Sequence, residues 1–384
     1  MNYFFYSLHT QYVNTGDLLI NTSLIELLAT RGVVYVDDTN KAAHLINHIF
    51  SNDKIIKLSS ITNTDNKSVS SFKVMIRYLK KRIKLKKEDD SFYLVLVPGE
   101  AGRIGFKSAL LYLLSLRRYL LLRLKGVKIL RLGVSLQRFE NGNGYVEGLF
   151  SLFFHAYGVR DTYSYQLGRK LRFFHLSYFP DLAWAYRWRD KTQTLSQKKD
   201  YIVLSFRSAR SIDKSAKNYT SYILSIISDL QTVIKKSNLS SYKIIISYQV
   251  EYDKQAANEI YEFLEEQGFN VELIEEQLDI KNALMLYYNA KCVISNRLHV
   301  LLMAILADTL SIPFINIGDN KKIFGVFYDN ELSELVLNQK DNNTQNAEQL
   351  HGMFIKEKYW LAKYKAVKEK NHNVILDCLD DIIK

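Results

Sequence analysis

Short apolar runs alternate along this chain with longer stretches whose apolar positions recur at helical spacing, the pattern of parallel α/β layers. In the first half, Tyr3–Ser7 and Val33–Val36 are expected strands on either side of a helix over Asp17–Ala29. Phe92–Val97 is an uninterrupted apolar run, as a strand buried on both faces reads. Pro98-Gly99-Glu100-Ala101-Gly102 is expected to break it. Basic helices are expected over Val74–Lys87 and Lys107–Leu124, a strand over Val127–Gly133 and a helix over Val146–Tyr157.

The alternation restarts after a polar segment, Lys191–Asp200. Strands are expected at Tyr201–Phe206, Lys243–Ser247, Phe269–Ile274, Lys291–Ser295 and Pro313–Ile317. Helices are expected at Tyr219–Lys235, Lys254–Gln267, Ile280–Asn289 and Leu298–Leu306, with Gly268 closing the second. The reading is α/β with two Rossmann-like domains, residues 1–190 and 200–330, facing a cleft. Residues 331–384 read as a helical extension, with Tyr359–Lys370 helical, that packs back on the first domain. Ligands of open parallel sheets bind at the carboxyl ends of strands, so functional residues are sought there.

Composition narrows the class. The chain has 384 residues, 47% hydrophobic and 24% charged, which suits two ordinary cores and argues against disorder or a coiled coil. Two cysteines, Cys292 and Cys378, make no disulfide framework, so a reducing compartment, the cytoplasm, is expected. No signal peptide and no apolar membrane span are expected.

The net charge is +12, and between Ser71 and Arg131 the chain carries 16 basic and four acidic residues, the whole of that excess. The cluster includes Lys80–Lys87 and the leucine-rich run through Arg117, Arg118, Arg123 and Lys125. A solvated basic face and an amphipathic surface resting on anionic lipid both fit. No nucleic-acid-binding motif accompanies it, so nucleic acid is not an expected partner.

Chemistry concentrates at Ser295-Asn296-Arg297-Leu298-His299, where an apolar strand passes almost directly into a helix. Free N–H groups and the positive end of the helix dipole favour anions there, and Arg297 adds a planar fork for phosphate or carboxylate. His299 is a candidate proton carrier. The alternative is that Arg297 caps local carbonyls and His299 is an ordinary first-turn histidine. Lys321 and Lys322 follow the next strand, and Arg207 ends strand Tyr201–Phe206. His44 and His48 have helical spacing without a third ligand, so no metal is expected. Glu251 and Glu259 show a Glu-x7-Glu spacing away from the anion pocket and are read as chance. Gly133-Val134-Ser135-Leu136-Gln137 lacks the second glycine of a nucleophile elbow, which disfavours a serine hydrolase.

This segment resembles the C-terminal hallmark of the polysaccharide pyruvyl transferases, Ser-x-Arg-Leu-His followed by an apolar helix, a Pro-containing strand and a Lys-bearing loop. Here these are Ser295–His299, Ala304, Pro313 and Lys321-Lys322. Asn14-Thr15-Gly16-Asp17, Gly133-Val134-Ser135, Val159-Arg160-Asp161-Thr162-Tyr163-Ser164 and Pro180-Asp181-Leu182-Ala183 resemble other family segments in the family's order. The chain departs from the family where Pro98-Gly99-Glu100-Ala101-Gly102-Arg103 replaces a Gly-Gly pair.

The resemblance implies a GT-B fold and transfer of the pyruvyl unit of phosphoenolpyruvate onto a sugar as a cyclic ketal, with no cofactor. It implies Arg297, Lys321, Lys322 and Arg207 for the donor, His299 as acid and Asp17 as base, though Asp17 also reads as a helix N-cap. Asn14, Tyr163 and Trp184 are weaker candidates for the acceptor. That acceptor is expected to be a lipid-linked, undecaprenyl-type precursor met by a peripheral enzyme on the cytoplasmic leaflet. A nucleotide-sugar glycosyltransferase on the same fold and a non-catalytic glycan-binding member are the rival readings.

Overall fold

A computed structural model describes residues 1–7, 14–37, 49, 52–62, 71–101, 116–136, 139, 143–188, 200–207, 219–237 and 239–384. His44, His48, Gly102, Arg103, Lys107 and residues 191–199 lie outside the described residues. The chain divides into two units. One comprises Met1–Tyr12, Asp17–Tyr186 and His372–Lys384, the other Val13–Gly16 and Arg187–Asn371.

The first unit is built on eight strands: β1 (Asn2–Ser7), β2 (Val33–Val36), β3 (Ile55–Lys57), β4 (Ser91–Leu96), β5 (Gly99–Ala101), β6 (Val127–Leu136), β7 (Ala156–Val159) and β8 (Leu176–Tyr178). Their order is β3-β2-β1-β4-β6-β7-β8, every pairing is parallel, and β5 pairs with β6. β-Branched and aromatic residues suit this surface, where cross-strand neighbours stack. Phe4 lies opposite Tyr93 and Phe5 opposite Tyr35, with ring centroids 4.9 and 5.0 Å apart.

Several expectations change here. The helix expected over Val146–Tyr157 is Asn143–Ser151, and Ala156–Val159 is β7 instead. A short apolar run has no periodicity that separates buried strand from buried helix, which is why Phe153–Tyr157 misled. The strand expected to end at Gly133 runs on to Leu136, so Gly133-Val134-Ser135 lies inside β6. Gly133 has φ of +70° where the pairing with β7 shifts register, and a β-carbon on it would stand 2.7 Å from Leu182 Cδ1. Only glycine serves such a bulge without strain. Within the segment expected to break the sheet, Gly99–Ala101 is instead β5, paired beside Val134–Leu136.

The second unit has β9 (Tyr201–Ser205), β10 (Lys243–Ile246), β11 (Val271–Leu273), β12 (Cys292–Ser295), β13 (Leu310–Ile315) and β14 (Leu337–Asn338), ordered β11-β10-β9-β12-β13-β14 and parallel throughout. Counted within the unit this is 3-2-1-4-5-6, the Rossmann order, which reverses direction between β9 and β12. The helix Leu298–Leu306 is buried from Val300 onward, as an all-apolar helix must be.

Two helices, Asn343–Ile355 and Glu357–Ile383, end the chain, the second far longer than the expected Tyr359–Lys370. Up to Asn371 it belongs to the second unit; from His372 it belongs to the first. There Arg31 Nε donates to Asp380 Oδ1 at 2.7 Å, Tyr93 Oη donates to the Ile383 carbonyl at 2.9 Å, and His155 Nε2 donates to that of Ile382 at 3.1 Å. Among the described residues no helix is long and apolar enough to cross a membrane.

Candidate functional site

Polar groups are buried where the strands of the second sheet end. Ser205 follows β9's apolar core, Ser247 and Gln249 follow β10, and Ser295 and Asn296 close β12; all are buried. Hydrogen bonds hold two of them, and the bonds of Ser295 and Asn296 tie the end of β12 to that of β9. Ser295 Oγ donates to the Ser205 carbonyl and accepts the Arg297 N–H at 2.9 Å. Asn296 Oδ1 accepts the Arg207 N–H at 2.6 Å. Arg207 and Arg297 are therefore pinned, through backbone, at the point where the strand order reverses.

Arg297 is the extended residue that precedes the helix Leu298–Leu306, with φ of −113° and ψ of 123°. Among the described residues its guanidinium caps no carbonyl. It forms an ion pair with Asp253, whose carboxylate is fully buried, and Cζ lies 5.6 Å from the Tyr252 ring centroid. Asp253 precedes the helix Lys254–Glu266 but makes no capping bond, its side chain being committed to Arg297. A buried carboxylate holds the fork in one orientation, and a second anion must share that charge with Asp253.

His299 occupies the first turn of the same helix and is half-buried. The α-carbon of Gly16 lies against its ring. The segment carrying Gly16 is fastened to the second unit by Thr15, which is fully buried and donates Oγ1 to the Leu278 carbonyl at 2.6 Å. Asn14 Oδ1 accepts the Gly16 N–H at 3.0 Å, so Asn14 is occupied in turning the chain into its helix. Asp17 is the third residue of the helix Thr15–Ala29 and belongs to the first unit, so it is not the N-cap that the sequence also allowed.

Lys321 and Lys322 open the helix Lys321–Asp329 beyond β13, the first exposed and the second half-buried. Arg297, His299, Arg207 and these lysines thus share one edge of the second sheet. Tyr163, Trp184 and Asp17 belong to the other unit. Tyr163 is half-buried, whereas Trp184 is 3% exposed and packs inside a 3₁₀ turn, which removes it as an open platform for a sugar ring. Sequence reasoning missed Asp253, Asn296 and the fit of Gly16 to His299. Nothing in spacing marks Asp253 apart from an ordinary helix cap.

The remaining motifs converge in the first unit. Arg160 donates Nε to Ser135 Oγ at 2.6 Å and Nη1 to Asp181 Oδ2 at 2.7 Å, and Ser135 donates to Asp161 Oδ2 at 2.8 Å. Asp161 also caps its helix through the Ser164 N–H at 2.7 Å, while Ser164 Oγ accepts the Leu136 N–H at 2.9 Å. All five side chains are buried, so these motif residues knit the ends of β6, β7 and β8 together. Among the described residues no group of three His, Cys, Asp or Glu side chains could hold a metal ion.

The sequence model of the polysaccharide pyruvyl transferases matches residues 14–319, from the Asn14 turn to the loop before Lys321. The chain belongs to that family. Membership makes it a transferase of polysaccharide biosynthesis, and the match takes in every motif network described above. No curated protein matches the sequence. Solved structures share the fold at low identity. Anabaena Alr3699/HepE with UDP and glucose has a TM-score of 0.58 at 10% identity over 100% of this chain and 99% of its own. UDP-GlcNAc 2-epimerase from Neisseria meningitidis bound to UDP-GlcNAc has 0.56 at 11% over 99% and 98%. Arabidopsis thaliana UGT89C1 with UDP-L-rhamnose has 0.54 at 11% over 100% and 98%. At these identities the likeness concerns the fold alone, which is of the GT-B type.

Proposed function

We propose that this pyruvyl transferase uses phosphoenolpyruvate as donor and joins its three-carbon unit to two hydroxyls of a sugar as a cyclic ketal. The observation that carries the reading is the Arg297–His299 pair at the switch point of the second sheet, with Gly16 set against the imidazole. Arg297, assisted by Arg207, Lys321 and Lys322, binds the phosphate and carboxylate. His299 delivers a proton to the methylene carbon, which becomes a methyl group and leaves positive charge at C2. One sugar hydroxyl bonds to C2, the C2–O bond to phosphate breaks, and a second hydroxyl closes the ring. Of the two hydroxyl protons, Asp17 is assigned to accept the first and return it to solvent, from which His299 is reprotonated, and the second leaves with phosphate. Asn14 and Tyr163 are assigned to the acceptor side.

The acceptor is assigned as a lipid-linked precursor, and the basic residues between Ser71 and Arg131 support that assignment. The test is phosphate release from phosphoenolpyruvate against a panel of lipid-linked sugars, with Arg297→Ala and His299→Ala as controls. Release that needs acceptor and both residues supports the reading. Thermal stabilisation by nucleoside diphosphates but not by phosphoenolpyruvate would replace it with nucleotide-sugar transfer. Intact phosphoenolpyruvate beside the true acceptor would leave a glycan-binding member.

A further inference from the structure

In the first unit a cavity of about 370 Å³ opens between the helix Ser71–Lys84 and the helix at 116–124. Lys80, Arg117, Arg118, Leu121, Leu122 and Lys125 line it. Four of these six are cations, and the sequence has no Asp or Glu at 71–87 or at 116–131 to offset them. On the first helix Lys73, Arg77, Lys80 and Lys84 recur at three- and four-residue intervals and are all exposed, which makes one cationic face.

The second helix carries the feature that selects an occupant. Leu122 is 1% exposed and packs into the core, but Leu120, Leu121 and Leu124 are 45%, 46% and 74% exposed. Three outward leucines within about one helical turn, among arginines, are costly in water and uninformative for a polyanion. They are favourable where a phosphate layer lies above hydrocarbon. Arg118 is steadied by the Phe72 ring, with Cζ 5.4 Å from its centroid, so part of the cationic rim is pre-placed.

We propose that this cavity seats the phosphate of an anionic lipid headgroup while Leu120, Leu121 and Leu124 enter the lipid surface beside it. The inference goes beyond the chemistry assigned above, because it needs neither phosphoenolpyruvate nor a sugar. The probe is flotation of the full-length protein with phosphatidylcholine vesicles, with and without phosphatidylglycerol, at physiological salt. Binding is expected only with phosphatidylglycerol. Each reversed cation lowers partitioning by about fivefold or more, so Arg117→Glu with Arg118→Glu lowers it at least about 25-fold. Leu121→Ser with Leu124→Ser removes the binding that survives high salt. All four side chains are solvent-facing, and unchanged melting temperatures check that the variants fold.

Equal binding to both vesicle types, or by the charge-reversed protein, overturns the proposal. So does duplex DNA that displaces the protein from vesicles while the serine variant binds as before, which assigns the patch to nucleic acid. Stabilisation by inorganic phosphate with vesicle binding insensitive to the leucines reduces it to a free-anion site. Phosphate release from phosphoenolpyruvate is measured in parallel, so failure of one reading leaves the other standing.

Discussion

A β-carbon on Gly16 would stand 2.2 Å from Nδ1 of His299 and 2.7 Å from its Cβ. The second distance matters more, because Cβ cannot swing away as a ring tip can. Thr15, held by the Leu278 carbonyl, denies the loop the freedom to retreat. Gly16→Ala therefore displaces the imidazole. With His299 as acid, turnover is expected to fall about 100-fold, the effect of roughly an ångström of misplacement. A kcat within twofold of the parent, at unchanged fold, would remove His299 from the chemistry.

The Arg297–Asp253 pair makes a second prediction through stability. Asp253 is fully buried and the Arg297 side chain is 12% exposed, so removing either partner strands a charge. Asp253→Leu and Arg297→Leu are each expected to cost about 3 kcal/mol in urea unfolding. The double variant should recover much of that loss while remaining inactive. Additive losses across the cycle would show that the two charges are independently solvated.

Arg160 is predicted to be structural. Its Nε and Nη1 bind different partners, Ser135 and Asp181, a fork that an ammonium does not reproduce. Arg160→Lys and Arg160→Met should both lower the melting temperature, the latter at a cost of about 3–5 kcal/mol. Phosphate release per folded molecule should be unchanged, and a selective loss of turnover would instead place Arg160 at the substrate.

Acid should loosen the end of the last helix. Burial, the largest influence, pushes the His155 imidazole below its ordinary pKa; Lys128, Arg123 and His175 act the same way, and the bond to Ile382 opposes them. The folded protein thus takes up its proton less readily than the unfolded chain. Its contribution to stability is complete above about pH 6.5 and declines as pH falls below that value. His155→Gln keeps a donor without the titration and should flatten stability between pH 7.5 and 5.5, read by urea unfolding. An identical slope in the variant would assign the acid sensitivity elsewhere.

The periodicity of the sequence carried most of the second sheet. Leu298–Leu306 is a helix within its expected bounds, because an all-apolar segment after a strand has few other places to go. The Ser295–His299 segment was legible for a related reason: a strand that turns straight into a helix must leave backbone donors at its edge. Less was legible around Phe153–Tyr157, where apolar residues serve a turn and a strand in quick succession. β3, β8 and β14 span two or three residues each and leave no periodic trace.

Local spacing thus determined the two Rossmann series, the basic segment and the residues that begin the helix at Leu298, since each depends on neighbours along the chain. Tertiary structure alone decided that Asp253 holds Arg297, that Gly16 meets His299 and that five motif side chains form one buried network. Asp253 and Arg297, like the five motif side chains, are far apart in sequence and meet because parallel strands bring their carboxyl ends to the same edge. Gly16 instead reaches His299 because Thr15 fastens its segment to the second unit. A carboxylate's role then follows from which cation the fold sets beside it, and no reading of spacing contains that choice.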